Sequence, residues 1–413
     1  MDETKTVSGR KAGPSPGFAE FVLLIAGAMA LVSLSIDNVL PAFGPIGEAF
    51  GIADANDLQL LVYVYMGGFA VGQLVFGPLS DVVGRRKALL SGLVIYAIGA
   101  LGASWAGDFS ILLVARAVQG FGGAAARVIT LTVVRDRYEG HEMARVMSLV
   151  MMVFLTAPVF APALGSLMLV LGGWRLVFDS MLALGGLLAV ACYFRLPETL
   201  NPAYVMKPSV KEFGRALRAI FASRAAVGYS AAVGFMFGGL MGYIGSSQQI
   251  LETGVYALGP LFPLAFGALA GVMVIASIIS ARIVRRLGMR RLAHLSLMIF
   301  TGAAVVLVVL SLVFAGRPPF AAFALMLAAV LFAFAIAMPN FGAISMEDLG
   351  PVAGTASSVI GSSTTVVGAG IGAVIGLAFD GTVLPLGLGF LLTGLLGIAA
   401  VAWAEHGRLF GGR

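Results

Sequence analysis

The feature that most constrains this chain is a series of apolar runs, each about 20 residues long, separated by short polar segments. A helix needs about 20 apolar residues to cross the roughly 30 Å hydrocarbon core of a bilayer. The chain has 413 residues, of which 59% are hydrophobic and only 11% are charged, and its mean hydropathy is +1.00. A soluble globular protein has about 25% charged residues. The sequence therefore predicts an all-α membrane protein with twelve transmembrane helices.

The apolar runs fall into two sets of six, joined by a polar segment. We expect an N-terminal six-helix bundle at residues 1–195, a central linker at 196–224, and a C-terminal six-helix bundle with a short tail at 225–413. Cations and apolar residues alternate between residues 208 and 224, which indicates either a helix lying on the membrane surface or a solvated tether. The predicted spans are 18–41, 58–77, 88–105, 110–133, 143–171, 176–194, 225–250, 258–281, 292–315, 321–341, 354–379 and 386–404.

The basic residues predict how these spans are oriented. Of the 26 lysines and arginines, all but Arg116, Arg127, Arg175 and Arg317 lie before the first span, beside the exit of an even-numbered span, or after the last span. The positive-inside rule places these segments, and both termini, in the cytoplasm. The net charge of +6 thus reflects how the spans are oriented in the membrane, and we expect no nucleic-acid partner. The polar segment 1–16 has no small-residue cleavage site, so we expect no removable signal peptide.

Side chains that could carry enzymatic chemistry are few. The three histidines lack the spacing of metal ligands, and we find no glycine-rich phosphate loop and no nucleophile beside a base. The single Cys192 cannot form an internal disulfide. We therefore expect no enzyme, no metal and no cofactor. The partner that the composition itself indicates is the lipid bilayer.

A charged turn, GPLSDVVGRRK at residues 77–87, connects the second and third spans. Gly77 allows two backbones to approach, Asp81 can face the positive N-terminus of a neighbouring helix, and Gly84 permits a positive φ before three cations. The alternative is a basic loop anchored at the membrane surface, but such a loop would need only the cations and not the glycines or Asp81. The segment resembles the pattern G-x-L-[AS]-D-x-x-G-R-[RK]-[KR] of the major facilitator superfamily, which helps to latch the two halves of a transporter. That resemblance implies a major facilitator fold with two pseudo-symmetric halves and a candidate inter-half latch of Gly77, Asp81, Gly84, Arg85 and Arg86.

The second half repeats this turn in part. The sequence Gly288-Met289-Arg290-Arg291 echoes Gly84-Arg85-Arg86, whereas Arg285 lies where Asp81 would be. We therefore expect duplicated six-helix halves that keep the acidic latch only in the first half. The eleventh span begins after Gly350-Pro351, and its N-terminus is a candidate partner for Asp81.

The fourth span contains two cations and two glycines on one helical face. Arg116, Gly120, Gly123 and Arg127 are spaced i, i+4, i+7 and i+11, so the cations lie about 16 Å apart across a predicted glycine groove. An arginine in hydrocarbon is costly, so this face must line a cavity or meet an acid. The alternative for Arg127 is that its side chain extends to the cytoplasmic surface.

An acid lies near the outer end of the first span. Asp37 and Arg116 are both about one to two turns inside the outer boundary, so the two side chains could meet. Their surroundings resemble drug exporters of the Bcr/CflA subfamily, whose first span has an acid shortly before Leu-Pro-Ala. That resemblance implies that Asp37 and Arg116 couple protons to substrate. The further cavity candidates are Asn38, Gln119, Gly120, Gly123 and Arg127.

The fifth span contains Pro158 and Pro162, which should bend the helix while small neighbours let another helix approach. With Gly165, this stretch resembles in part the antiporter signature G-x-x-x-G-P-x-x-G-G of drug exporters. Ala157, Ala161 and Ser166 stand where that signature has glycine.

These resemblances imply a transporter that exports lipophilic drugs or antibiotics in exchange for protons by alternating access. Coupling needs a group that is charged in one state and neutral in another, which Asp37 can supply and arginine cannot. The alternatives are that Asp37 caps a helix or joins a structural ion pair, and that the same fold carries a metabolite such as a sugar, an amino acid or an organic anion. A third alternative, a membrane enzyme or a receptor, would show no solute-dependent proton flux.

Overall fold

The computed structural model describes residues 16–200, 210–408 and 410. Lys5, Arg10, Lys11, Lys207 and Arg413, on which part of the orientation argument depends, lie outside these residues. Within the described ranges the chain forms fourteen α-helices. They are α1 (Phe18–Asp37), α2 (Phe43–Phe50), α3 (Leu60–Val83), α4 (Arg85–Ser104), α5 (Phe109–Arg137), α6 (Gly140–Gly172), α7 (Trp174–Arg195), α8 (Val210–Ala222), α9 (Arg224–Ser247), α10 (Phe262–Leu287), α11 (Met289–Val313), α12 (Phe320–Ser345), α13 (Ala353–Leu377) and α14 (Leu384–Ala404).

Twelve segments of the described chain are long and apolar enough to cross a membrane, which confirms the predicted number of spans. The first of them, Phe18–Phe50, contains both α1 and α2. Pro41 lies in a 3₁₀ turn between these helices, and Pro45 lies inside α2. The first span therefore extends beyond the predicted residue 41 to Phe50, because the backbone from Asn38 to Ala42 stays close to helical geometry.

The two halves have the same packing scheme. In the first half α3 packs on α5, α4 packs on α5 and α7, and α1 packs on α6. In the second half α10 packs on α12, α11 packs on α12 and α14, and α9 packs on α13, which is the same scheme displaced by six spans. The pairs α3–α13 and α6–α10 join the halves. This repetition confirms the predicted pseudo-symmetric architecture.

The helix predicted near residues 208–224 is present as α8 (Val210–Ala222). Its Ile220 is buried in a small apolar cluster with Leu349 and Ala356. These partners belong to the second half, so α8 packs on that half and is not a solvated tether.

Successive spans run in opposite directions, so the molecule has two ends. We call the end at which Gly84 and Gly288 lie the basic end. We call the opposite end, at which Asn56 lies, the far end.

Candidate functional site

The polar pair Asp37–Asn38 lies where α1 ends, inside the protein. The two residues are 3% and 1% exposed, and the Oδ1 atom of each is buried without a hydrogen-bond partner among the residues that the structure describes. Asn38 Nδ2 donates a long hydrogen bond of 3.5 Å to Ser180 Oγ of α7. A buried polar atom without a partner costs about 1–3 kcal/mol, so such atoms are rare outside functional sites. The Asp37 carboxylate is therefore available to a proton or a ligand.

Arg116 is fully buried but does not pair with Asp37. Its Nη2 donates to the Ser35 carbonyl oxygen at 2.9 Å, its Nε to the Leu61 carbonyl oxygen at 3.0 Å, and its Nη1 to Gln119 Oε1 at 2.6 Å. Its guanidinium carbon lies 4.4 Å from the centroid of the Tyr65 ring. The ion pairs of the described residues include none between Asp37 and Arg116.

The contact with Ser35 explains what Arg116 does. Ser35 lies in the last turn of α1, where carbonyl groups run out of helical partners and carry partial negative charge. Arg116 therefore caps α1 and, through Leu61, also holds α3. The predicted meeting of Asp37 with Arg116 is corrected to an indirect relation, in which Arg116 fixes the turn of helix on which Asp37 lies.

The predicted glycine groove of α5 is filled by α3. A Cβ on Gly120 would overlap the Tyr65 carbonyl oxygen, and a Cβ on Gly123 would lie 2.9 Å from the Tyr65 hydroxyl. Gln119 is fully buried, and its Nε2 lies 3.5 Å from Met181 Sδ. These three cavity candidates therefore pack helices together, because small residues let helices approach closely in a membrane.

Arg127 is the exception on this face. It is half-buried, and the ring of Phe154 on α6 lies 5.9 Å from its guanidinium carbon. No hydrogen bond or ion pair joins it to the residues that the structure describes. Arg127 is thus an interior cation whose charge is free to meet a ligand.

The second half faces Asp37 with Tyr243 of α9. This residue is 3% exposed, and its ring stacks on Phe266 with centroids 5.7 Å apart. Its hydroxyl is buried, and no described residue forms a hydrogen bond with it. It lies close enough to the Asp37 carboxylate for the two groups to interact electrostatically. Glu252, further toward the far end in a π-helical turn (Gln248–Thr253), also has a buried carboxylate oxygen without a partner.

At the far end, neutral side chains join the two halves. Gln59 Nε2 donates to Gln249 Oε1 at 2.6 Å and to the Gly376 carbonyl oxygen at 2.9 Å. Gln249 Nε2 donates to Asn56 Oδ1 at 2.7 Å. The Tyr63 hydroxyl bonds to Gln59 Oε1 at 3.1 Å, and a Cβ on Gly376 would overlap that hydroxyl. We call Asn56, Gln59, Tyr63, Gln249 and Gly376 the far-end amide network.

At the basic end of the first half, Arg85 joins two acids. It pairs with Asp81 and, at 2.9 Å, with Asp136 at the end of α5. The Glu198 carboxylate accepts hydrogen bonds from the backbone N–H groups of Arg85, at 2.8 Å, and of Arg86, at 3.2 Å, and so caps α4. Gly84, which precedes them, has the predicted positive φ of 98°.

Two further members of the predicted latch, Arg86 and Gly77, contact different halves of the molecule. The Arg86 guanidinium donates to the Tyr193 carbonyl oxygen within its own half, and a Cβ on Gly77 would lie 2.6 Å from Ser358 Oγ of α13. Gly77 therefore lies against the other half. The hydrogen bonds of Asp81 among the described residues go to Arg85 and not to α13, so its inter-half role stays a prediction.

The second half also has an acidic cluster at its basic end. Arg290 pairs with Glu347 at 2.6 Å and with Glu405 at 3.1 Å, while the Tyr229 hydroxyl donates to Glu405 at 2.7 Å and contacts His294 Nε2 at 2.8 Å. The second half therefore has an ionic cluster of its own, although neither of its acids stands at the position that corresponds to Asp81. The acids of this cluster, Glu347 and Glu405, follow α12 and α14. They lie outside the repeated turn between α10 and α11, so the motif did not predict them.

The two-proline segment lies between the halves. Helix α6 continues through Pro158 and Pro162, and a Cβ on Gly165 would overlap the Asn38 carbonyl oxygen. Gly267 of α10 lies against the backbone of the same segment from the other half. The segment thus connects the turn that carries Asp37–Asn38 to the second half.

The sequence profile described as the Major Facilitator Superfamily matches residues 25–373. The chain belongs to the major facilitator superfamily. A bicyclomycin resistance protein homolog of Haemophilus influenzae is 27% identical over 368 residues, which cover 89% of this chain and 91% of the relative. A chloramphenicol resistance protein of Pseudomonas aeruginosa is 37% identical over 183 residues, which cover 44% of this chain and 43% of the relative.

A solved D-xylose–proton symporter has the same fold as this major facilitator protein. The two structures superpose with a TM-score of 0.77 at 15% identity, covering 96% of this chain and 99% of the symporter. At that identity the likeness shows the fold. The chain is therefore a multi-pass membrane transporter and not an enzyme, with drug-resistance proteins among its relatives.

Sequence reasoning missed Tyr243, Glu252 and the far-end amide network of this major facilitator protein. The predicted seventh span stopped at residue 250, whereas the helical chain continues as the π-helical turn to Thr253. Extending that span by one turn would have placed Glu252 inside it. Tyr243 and the amide side chains are uncharged, so no charge within a span marked them as candidate site residues.

Proposed function

We propose that this protein exports lipophilic drugs or antibiotics in exchange for protons, with Asp37 as the proton site. The observation that carries the proposal is the buried Asp37 carboxylate, which lies between two halves of a transporter fold and whose Oδ1 has no hydrogen-bond partner in the described part of the chain. A carboxylate in such a place changes its charge when water, a counter-charge or a ligand reaches it. The drug-resistance names of relatives support the direction of transport.

The cycle follows from the two-half architecture. In the state described here, the far-end amide network holds the halves together at the far end. A proton that reaches Asp37 removes a negative charge facing Tyr243, and a substrate that reaches the same region displaces that proton. Because the two occupants exclude each other, the movement of one is tied to the movement of the other.

Orientation is part of the proposal. We propose that the basic end is cytoplasmic in a bacterial inner membrane, with both termini on that side, because the described basic residues concentrate there. We further propose residues 1–195 and 225–413 as the two halves and 196–224 as their linker. The transporter would act as a monomer.

The first test compares two acids that each have a buried carboxylate oxygen, Asp37 in the first half and Glu252 in the second. Everted vesicles are energised to an acid interior, chloramphenicol or bicyclomycin is added, and interior pH is followed. The wild type should show a drug-dependent rise in interior pH, and Asp37→Asn should show none while remaining monodisperse after purification. Glu252→Gln should retain the response.

Two results would overturn the proposal. One is a stable Asp37→Asn protein that still exchanges drug for protons at the wild-type rate. The other is a wild type that accumulates a sugar, an amino acid or an organic anion with protons and responds to neither antibiotic, which would establish the alternative of metabolite transport.

A further inference from the structure

The three charged side chains inside the first half differ in what they contact. Arg116 donates to three oxygen atoms of the protein and caps α1. Asp37 has an unpartnered oxygen, and Arg127 has no hydrogen-bond or ion-pair partner among the described residues. One acid and one cation are therefore left to meet what the transporter carries. Eleven residues of helix, about 16 Å, separate Arg127 from the level of Arg116.

Arg127 is too far from the helix end to be one of its surface cations. It precedes Arg137, the last residue of α5, by ten residues, or about 15 Å along the helix axis. Arg137 itself has partners at the basic end, because it donates to the Pro16 carbonyl oxygen at 3.3 Å and lies 4.6 Å from the Phe21 ring. The contact of Arg127 is the Phe154 ring, 5.9 Å away on α6.

A second polar group without a partner lies one turn from Arg127. Thr130 follows Arg127 by three residues and so lies on the same face of α5. It is fully buried, and its hydroxyl has no hydrogen-bond partner within residues 16–200, 210–408 and 410, although threonines within helices commonly bond to a preceding carbonyl. Helix α5 therefore presents a cation and a hydroxyl that lack polar partners among the described residues. The aromatic ring of Phe154 on α6 lies beside the cation.

We infer that Arg127 and Thr130 bind an anionic group of the substrate, so that the transporter selects anionic or zwitterionic lipophilic compounds over permanent cations. The inference rests on the proposed function and names its substrate class. A guanidinium in a site of low dielectric attracts a carboxylate and repels a cation far more strongly than it would in water. The Phe154 ring adds an apolar face on which an aromatic body can pack.

The placement also separates the place where the proton binds from the place where the anionic group of the substrate binds. The acid that takes the proton lies at the level of Arg116, and the cation that takes the anionic group lies about 16 Å nearer the basic end. The two-proline helix α6 carries both Phe154 and the Gly165 that touches Asn38. A substrate held at Arg127 is therefore in contact with the helix that supports the proton site.

The test uses three probes that differ in charge: chloramphenicol, which is neutral, chloramphenicol succinate, which adds a carboxylate, and tetraphenylphosphonium, which is a permanent cation. Equilibrium binding is measured on purified protein in lipid nanodiscs. The wild type should bind the succinate ester at least as tightly as its parent and tetraphenylphosphonium most weakly. Arg127→Gln should weaken binding of the ester relative to the parent by about tenfold or more, as the loss of a charge-assisted hydrogen bond requires.

Three further variants control this result. Arg127→Lys keeps the charge and should retain part of the preference, Thr130→Val should lose less than Arg127→Gln, and Arg135→Gln removes an exposed cation of the same helix and should change none of the ratios. An unchanged ester-to-parent ratio in Arg127→Gln, or a wild type that prefers tetraphenylphosphonium, would overturn the inference. Proton release in Asp37→Asn is a separate measurement, so a failure of coupling is distinguishable from a failure of charge selection.

Discussion

The two ends of the molecule are held by different chemistry. At the far end, neutral amides and a phenol join one half to the other, each contact being a hydrogen bond worth about 0.5–1.5 kcal/mol net. At the basic end, the ion pairs of the described residues all lie inside one half or the other. The difference teaches which contacts can break during transport. Weak contacts between halves can be exchanged in each cycle, while ionic clusters keep each half a rigid body.

The largest effect should come from closing the space that the far-end amide network needs. In Gly376→Ala, the new methyl group would overlap Gln59 Oε1 and the Tyr63 hydroxyl. Overpacking costs about 1–3 kcal/mol, so the closed far end should lose up to about a hundredfold in population. Spin labels at Ala55→Cys and Ala378→Cys, two exposed positions on opposite halves, should report a longer distance.

Gly370→Ala is the matched control for that substitution. It changes the same helix at a glycine with open space around its Cβ position, so the label distance should stay as in the wild type. An equal distance change in both variants, or none in Gly376→Ala, would mean that the amide network does not hold the far end closed.

The next effect compares the ionic clusters of the two halves. The Arg85 side chain is 9% exposed and the Arg290 side chain is 22% exposed, and each serves two acids. Arg85→Gln should therefore lower stability by about 2 kcal/mol and Arg290→Gln by about 1 kcal/mol, because the ion pairs of the more buried arginine are screened less by water. Thermal unfolding in one detergent should show the larger drop in midpoint for Arg85→Gln. The reverse order would contradict the burial argument.

The smallest effect on stability is expected for Asp81→Asn. The Asp81 side chain is 39% exposed, and Arg85 keeps its contacts with Asp136 and Ser80, so the loss should stay under about 1 kcal/mol. If Asp81 also latches the halves, transport should fall while substrate affinity stays the same. Transport at the wild-type rate would limit Asp81 to its own half, and a tenfold loss of affinity would place it in a binding role.

Patterns in the sequence predicted what depends on local periodicity. The twelve spans follow from apolar runs, the turn at Gly84 follows from its motif, and the burial of Asp37 follows from its position in a span. The partners of Arg116 could not be predicted, because two of the three are backbone carbonyls, which every residue has. A cation inside a span indicates that an acceptor is present without indicating which one.

The acids of the second-half cluster were missed for a related reason. Glu347 and Glu405 follow different helices, and only the packing of α11 on α12 and α14 brings them to Arg290. The far-end amide network likewise joins residues that are distant in the sequence. Gln249 bonds to Asn56, 193 positions away, and Gln59 bonds to Gly376, 317 positions away. Such contacts are tertiary, and no local pattern records them.

The Glu198 cap has a consequence for the order in which the chain assembles. Helix α4 begins at Arg85, yet the carboxylate that accepts its first two N–H groups comes 113 residues later, after α7. Because synthesis proceeds from the N-terminus, the start of the third span has to wait for the sixth to emerge from the ribosome and enter the membrane. The first half therefore completes its fold only when its last span has been inserted.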